Sequence, residues 1–209
     1  MILRAVDWRA VLGASAVGAT ILVLCAAWPT SGLPLTYARL ALIALAGAAA
    51  FVLDEPAASA VAAVPVTRGR RTAARSVAVG IPLGVWATGV GALALRHLGT
   101  PVRGLLVEGL GVLVLALAGA ATSRLAGRDE PGELVASILG AILLAVLLFD
   151  PPPHSVPLFP VEVGWAASTL LWAGVAAVAG IVVTATCVDL RLRSWWKLHG
   201  AAGWAMLGA

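Results

Sequence analysis

Long apolar runs alternate along the chain with short segments that hold nearly all of the charge. Six runs stand out: residues 10–28, 35–53, 76–95, 104–122, 134–149 and 165–187. As helices rising 1.5 Å per residue, most would reach about 28–35 Å, close to the roughly 30 Å thickness of a bilayer's hydrocarbon core. The fifth run would reach only about 24 Å. The pattern predicts an all-α integral membrane protein with about six transmembrane helices, forming a single transmembrane domain over residues 1–209.

The basic residues indicate an orientation for these spans. With six spans, eleven of the 14 lysines and arginines fall on one side of the membrane, and three, Arg39, Arg96 and Arg103, fall on the other. Basic residues concentrate in cytoplasmic loops, so we expect both termini to be cytoplasmic in a multi-pass protein of the cell membrane. We interpret residues 10–28 as a retained first span. A cleaved signal peptide is the alternative, because Ala26 and Ala27 lie near the end of the run.

Composition narrows the classes of function. The chain is 61% hydrophobic and 11% charged, whereas soluble domains carry about 25% charged residues. Its basic residues lie between apolar runs rather than on one polar face, which argues against nucleic-acid binding. Cys25 and Cys187 lie inside apolar runs without a CxxC pair, so no metal or redox centre is indicated. No nucleotide-binding, esterase or metalloprotease motif is present, so we expect no enzyme in this chain and no cofactor bound by it.

The segment between the second and third runs, residues 54–75, is the first candidate site. Asp54 or Glu55 can cap a short helix that has Pro56 in its first turn and ends at Pro65. Four arginines follow before the third run: Arg68, Arg70, Arg71 and Arg75. This cluster has two interpretations of similar weight, an anchor for anionic membrane lipids or a docking element for a cytoplasmic partner.

Two further features lie towards the opposite side. Residues 149–164 contain five prolines, no lysine or arginine and several large apolar side chains, which predicts an irregular segment packed on the protein or dipping into the membrane. Glu108 lies four residues into the fourth run, where a carboxylate needs a partner such as Arg39 or Arg103. We expect a structural role for Glu108, with a place in a transport pathway as the alternative. His154 in the proline-rich segment is a weak ligand candidate.

One part of the chain resembles membrane permease subunits of ABC transporters, of the exporter-type class found in high-GC Gram-positive bacteria. The resemblance rests on Phe51–Ala58 (FVLDEPAA), on Pro65 and on the arginine cluster, and the six-span plan agrees with it. Such a permease dimerises with itself or with a sister permease and works with a separate ATP-binding subunit, which carries ATP and Mg. The resemblance implies that this subunit docks at the coupling residues Asp54, Glu55, Pro56, Arg68, Arg70, Arg71 and Arg75.

The substrate implied is hydrophobic or amphipathic, and the direction implied is export. The alternative to a permease subunit is a stand-alone membrane carrier, or a scaffold subunit of another membrane complex. A proton-coupled carrier should place ionisable residues near the middle of its spans, and these runs contain almost none. Small residues at helical spacing, such as Gly80 with Gly84, predict close helix packing, although the richness in alanine makes such pairs frequent by chance.

Overall fold

The computed structural model describes residues 6–27, 35–54, 68–97, 99–128, 130–148, 158–160 and 164–188. Within these residues every regular element is helical. The helices are α1 (Trp8–Ala27), α2 (Leu35–Phe51), α3 (Arg68–Ser76), α4 (Gly80–Arg96), α5 (Val102–Leu125), α6 (Gly132–Leu148) and α7 (Trp165–Cys187). A 3-10 turn, Val77–Val79, joins α3 to α4 without a break. Six helical rods result, one for each predicted run.

Four of the rods are long and apolar enough to cross a membrane: Trp8–Ala27, Gly69–Arg96, Val102–Leu125 and Trp165–Cys187. The other two, α2 and α6, have 17 residues each, or about 25 Å of helix. The rod that contains α4 begins about eight residues before the predicted run, so the arginine cluster is part of a helix. Arginine and alanine favour helices, and no proline interrupts the chain between Pro65 and α4. The fold therefore fits a membrane protein.

Helix α2 lies at the centre and packs against α1, α4, α5 and α6. Most of its alanines and leucines are buried, and the segment from Leu45 to Ala50 is buried all round. Small side chains let four neighbouring helices approach one rod closely, which is how helices associate where lipid removes the hydrophobic driving force. By contrast, α6 and α7 leave large apolar side chains exposed, including Ile142 and Leu170.

Glycines on α5 accept tryptophans from its neighbours. The indole of Trp86 on α4 lies against Gly109, and its Nε1–H donates to the carbonyl of Leu105 at 2.8 Å. A Cβ on Gly111 would lie 2.7 Å from the ring of Trp172 on α7. The Gly111 notch lies in the contact between α5 and α7, and these two helices pack more extensively than any other pair in the part of the chain that the structure describes.

The glycines at positions 80 and 84 do not form such notches. A Cβ added at either position would meet no atom of another helix within 4 Å. The close packing that this pair permits is therefore not used in the part of the bundle that the structure describes. The spacing of small residues identifies a smooth helix face, but only a neighbouring helix makes that face a contact.

The two ends of the bundle are chemically different. At one end, which we call the Asp54 end, the terminus of α2 meets the last turn of α3 and the start of α6. At the other, the Arg39 end, the start of α2 meets the beginning of α5 and residues 158–160. Each end holds one buried charged side chain from α2 or the turn that follows it, and these two places are the candidate sites.

Candidate functional sites at the two ends of α2

The Asp54 end is built around a carboxylate that caps a distant helix. Asp54 follows two turn residues after α2, and its side chain is buried. The backbone N–H of Gly132, the first residue of α6, donates to Asp54 Oδ1 at 2.6 Å. A helix N-terminus leaves N–H groups without partners, and a carboxylate is a favoured acceptor there. Asp54 therefore ties the end of α2 to the start of α6.

The atoms around Gly132 leave no room for a side chain at this position. A Cβ on Gly132 would lie 2.6 Å from Asp54 Oδ2 and 2.5 Å from the ring of Phe51. Burial raises the pKa of the Asp54 carboxyl to about 6, although the hydrogen bond from Gly132 acts in the opposite direction. Glycine at position 132 is thus needed for the close approach of the carboxylate, and the carboxyl is held in a place that disfavours its charge.

Arg75 completes this joint from α3. Its side chain is fully buried, and Nη1 donates to the main-chain carbonyl of Asp54 at 3.5 Å. Arg71 is half-buried and Arg70 is exposed. The four predicted coupling arginines therefore do not form one surface, because Arg75 points into the bundle while Arg70 points away from it.

Part of the predicted coupling site lies outside the described residues, namely Glu55, Pro56 and the side chain of Arg68. The short helix expected between Pro56 and Pro65 also lies there, so its existence stays a prediction. The described partner of the Asp54 carboxylate is α6, a contact 78 positions away in sequence that local capping rules did not suggest.

The Arg39 end contains a buried ion pair. Arg39 Nε donates to Glu108 Oε1 at 2.9 Å, and Nη2 donates to Oε2 at 3.1 Å. Only 2% of Arg39 and 1% of Glu108 is exposed. Of the two partners considered from the sequence, Arg39 is the one that pairs with Glu108, and Arg103 is exposed. This two-point geometry is the strongest form of the arginine–carboxylate contact.

The remaining donors of Arg39 hold part of the proline-rich segment. Nη1 donates to the carbonyl of Phe159 at 3.2 Å, and Nη2 donates to that of Pro160 at 2.8 Å. The guanidinium carbon lies 5.1 Å from the ring centre of Phe159 and 5.6 Å from that of Trp165. The charge is therefore surrounded by acceptors and aromatic faces, as a buried guanidinium requires.

Helix α7 holds the same segment from the other side. Trp172 Nε1 and Ser168 Oγ both donate to the carbonyl of Leu158, at 2.8 and 3.1 Å. The rings of Phe159 and Trp172 stack with centres 5.7 Å apart. Residues 158–160 are thus held between α2 and α7, with Glu108 of α5 paired to the same arginine, and we call this arrangement the Arg39 clamp.

The described residues contain no group of three or more His, Cys, Asp or Glu side chains able to hold a metal ion. Asp150 and His154 lie outside them. The clamp uses its charges in mutual contacts and holds residues 158–160 against α2 and α7.

Comparison of the chain with family models, curated proteins and solved structures found no match. The class is therefore defined by the fold and the two sites alone. It is an all-helical bundle, over the residues described, with four helices able to cross a membrane and a buried charged contact at each end of a central helix.

Proposed function

We propose that the chain crosses the cell membrane six times and that both termini are cytoplasmic. The basic residues support this orientation. Arg75 and Arg124 lie near Asp54 at one end of the bundle. Arg39, Arg96 and Arg103 lie at the other end. The excess of basic residues at the Asp54 end makes that end cytoplasmic. The two 17-residue helices are at the short limit for a span, and α2 is surrounded by other helices rather than lipid.

We further propose that the chain is the permease subunit of an ATP-driven ABC transporter that exports a hydrophobic or amphipathic substrate. The observation that carries this proposal is the joint between Asp54, Arg75 and Gly132. It holds together the residue that precedes residues 55–67, Asp54, and the helix that follows them, α3, through Arg75 in the last turn of that helix. A force applied to the segment by a partner would reach α2, α3 and α6 together, which is what coupling to a separate motor requires.

The proposed partner is a separate subunit that binds ATP and Mg, and the permease would pair with itself or with a sister chain. Arg70 is exposed at the Asp54 end and is available to such a partner, whereas Arg75 is structural. Anionic lipid headgroups are the other ligand expected for the exposed arginine.

Purification of the full chain from its native membrane tests the proposal. In mild detergent we expect a nucleotide-binding subunit to copurify, and we expect no ATP hydrolysis from the chain alone. Asp54→Ala combined with Glu55→Ala should reduce the recovered ATPase subunit, because loss of a cap costs about 1 kcal/mol and frees the start of α6. Glu133→Ala, which removes an exposed carboxylate in the first turn of α6, is the matched control and should retain the partner.

The alternative is a stand-alone carrier or a scaffold subunit. The Arg39–Glu108 pair is the observation that favours a carrier, because charged residues inside spans often belong to transport pathways. An isolated homo-oligomer that transports without any ATPase partner would establish this alternative and contradict the permease proposal.

A further inference from the structure

A lateral groove between α1 and α4 at the Arg39 end has no role in the proposed coupling. Its volume is about 490 Å³, within the range of about 300–1,000 Å³ typical of ligand sites. Alanine, leucine and valine side chains form most of its walls together with Thr88 and Gly89, and Arg96 lies at its mouth. Val23 and Leu95 on its rims are 67% and 88% exposed, so the groove opens sideways from the bundle.

The groove has the length of one leaflet. Its lining runs from Ala19 to Ala27 on α1 and from Val85 to Arg96 on α4. Those stretches correspond to about 12 and 16 Å of helix. Half of a hydrocarbon core is about 15 Å, so an acyl chain lying along the groove would extend from the headgroup level to the bilayer centre.

Arg96 supplies the complementary charge. It is exposed in the last turn of α4, and no carboxylate among the described residues lies within ion-pair distance of it. Basic residues at this end of the bundle run against the charge bias of the chain, and Arg39, unlike Arg96, is neutralised by Glu108. A guanidinium beside an apolar channel suits a phosphate attached to a hydrocarbon chain.

We propose that this groove binds an anionic phospholipid, with one acyl chain between α1 and α4 and its phosphate on Arg96. The site is independent of the permease proposal, because it uses none of the residues of the Asp54 joint. It makes the lipid a specific ligand of the outer half of the bundle.

Photo-crosslinking tests the site in the full chain reconstituted in nanodiscs. The probes are phosphatidylglycerol and phosphatidylcholine, each with a diazirine on one acyl chain, and adducts are mapped by mass spectrometry. We expect phosphatidylglycerol to label the groove residues of α1 and α4 preferentially. Arg96→Gln should reduce that labelling about five-fold, the effect of one basic residue near an anionic headgroup. Arg103→Gln, which removes an exposed arginine at the same end, should leave it unchanged.

A second variant tests the channel itself. Ala92 is a half-buried wall residue, and Ala92→Leu should abolish groove labelling by filling the space, with Arg96 intact. Unfolding temperatures confirm that each variant is folded. Equal labelling by both probes, an equal loss of labelling in Arg103→Gln, or adducts that fall outside the groove would each overturn the proposal.

Discussion

The buried pair of Arg39 and Glu108 should show its interdependence when its members are removed singly and together. Glu108→Leu leaves a buried guanidinium with only the carbonyls of Phe159 and Pro160 as acceptors. Arg39→Leu leaves a carboxylate that is 1% exposed without its partner. Removing one member of a buried ion pair costs about 3–5 kcal/mol, because the other charge stays buried and uncompensated.

The double variant, Arg39→Leu with Glu108→Leu, removes both charges at once. Its remaining cost comes from the carbonyls of Phe159 and Pro160, which lose their donors, at about 1–3 kcal/mol for an unsatisfied buried group. For the two carbonyls together this is about 2–6 kcal/mol. We therefore expect the double variant to lose less stability than the two single variants lose together, and to be more stable than Arg39→Leu, which leaves the same carbonyls without donors and a buried carboxylate as well. This order is a stricter criterion than destabilisation alone, since independent substitutions would add.

Thermal unfolding in detergent, followed by tryptophan fluorescence and by loss of the monodisperse fraction, measures the order. For a chain of this size about 1 kcal/mol corresponds to 2–4 °C, so each single variant should unfold about 6–20 °C below the wild type. The control is Arg103→Leu, which removes an exposed arginine at the same end. It should stay within about 2 °C, since surface substitutions change stability by about 0.5 kcal/mol or less. A double variant whose loss of stability equals the sum of the two single losses, or one that is less stable than Arg39→Leu, would refute the closed-pair argument.

Three further predictions concern packing, pH and topology. Gly109→Ala should cost about 1–3 kcal/mol of stability, because the added methyl group displaces the indole that covers this glycine. Gly91→Ala, at a glycine that faces open space, should not destabilise the protein, and unfolding temperatures compare the two variants. Because burial raises the pKa of Asp54 to about 6, the folded protein binds this proton more tightly than the unfolded chain, so stability should decrease as pH rises from about 4 through 6. Asp54→Asn should flatten that part of the unfolding-temperature profile, and an unchanged profile would contradict the assignment. Cysteines introduced at Ala73, which is exposed, and at Ser155 should react with impermeant reagents from opposite faces, Ser155 from outside intact cells, and labelling of both from one face would exclude six spans.

The positions of the helices could be predicted because apolar runs of span length are a strong signal in a chain with so little charge. The residue at which the third rod begins could not be predicted, since the arginines before Ser76 are equally compatible with a helix and with a loop. Small-residue spacing was also misleading. Glycines are common in this chain, and only their neighbours on other helices show that Gly109 and Gly111 form the packing notches.

The sites were predictable only in part. Glu108 and Arg39 could be singled out because an ionised group in an apolar run requires a partner. The other partners of Arg39 could not be predicted, because the acceptors at Phe159 and Pro160 are main-chain carbonyls, which every residue possesses. A tryptophan inside a span, Trp172, was the available signal, since a buried indole N–H requires an acceptor. The contact between Asp54 and Gly132 had no local signal, because it joins helices far apart in sequence.

The Asp54 joint and the Arg39 clamp are connected by one helix, α2. Arg39 and Phe51 lie on one uninterrupted helix, α2, about 18 Å apart along its axis, and Asp54 follows directly. Helix α2 is buried all round near Asp54 and is fixed to residues 158–160 through Arg39, so both ends of one helix are held by buried contacts. A displacement of α2 at the Asp54 joint would therefore act on the Arg39 clamp. If residues 54–75 couple to an external motor, residues 158–160 are the part of the far end that α2 holds directly and through which the bundle would respond.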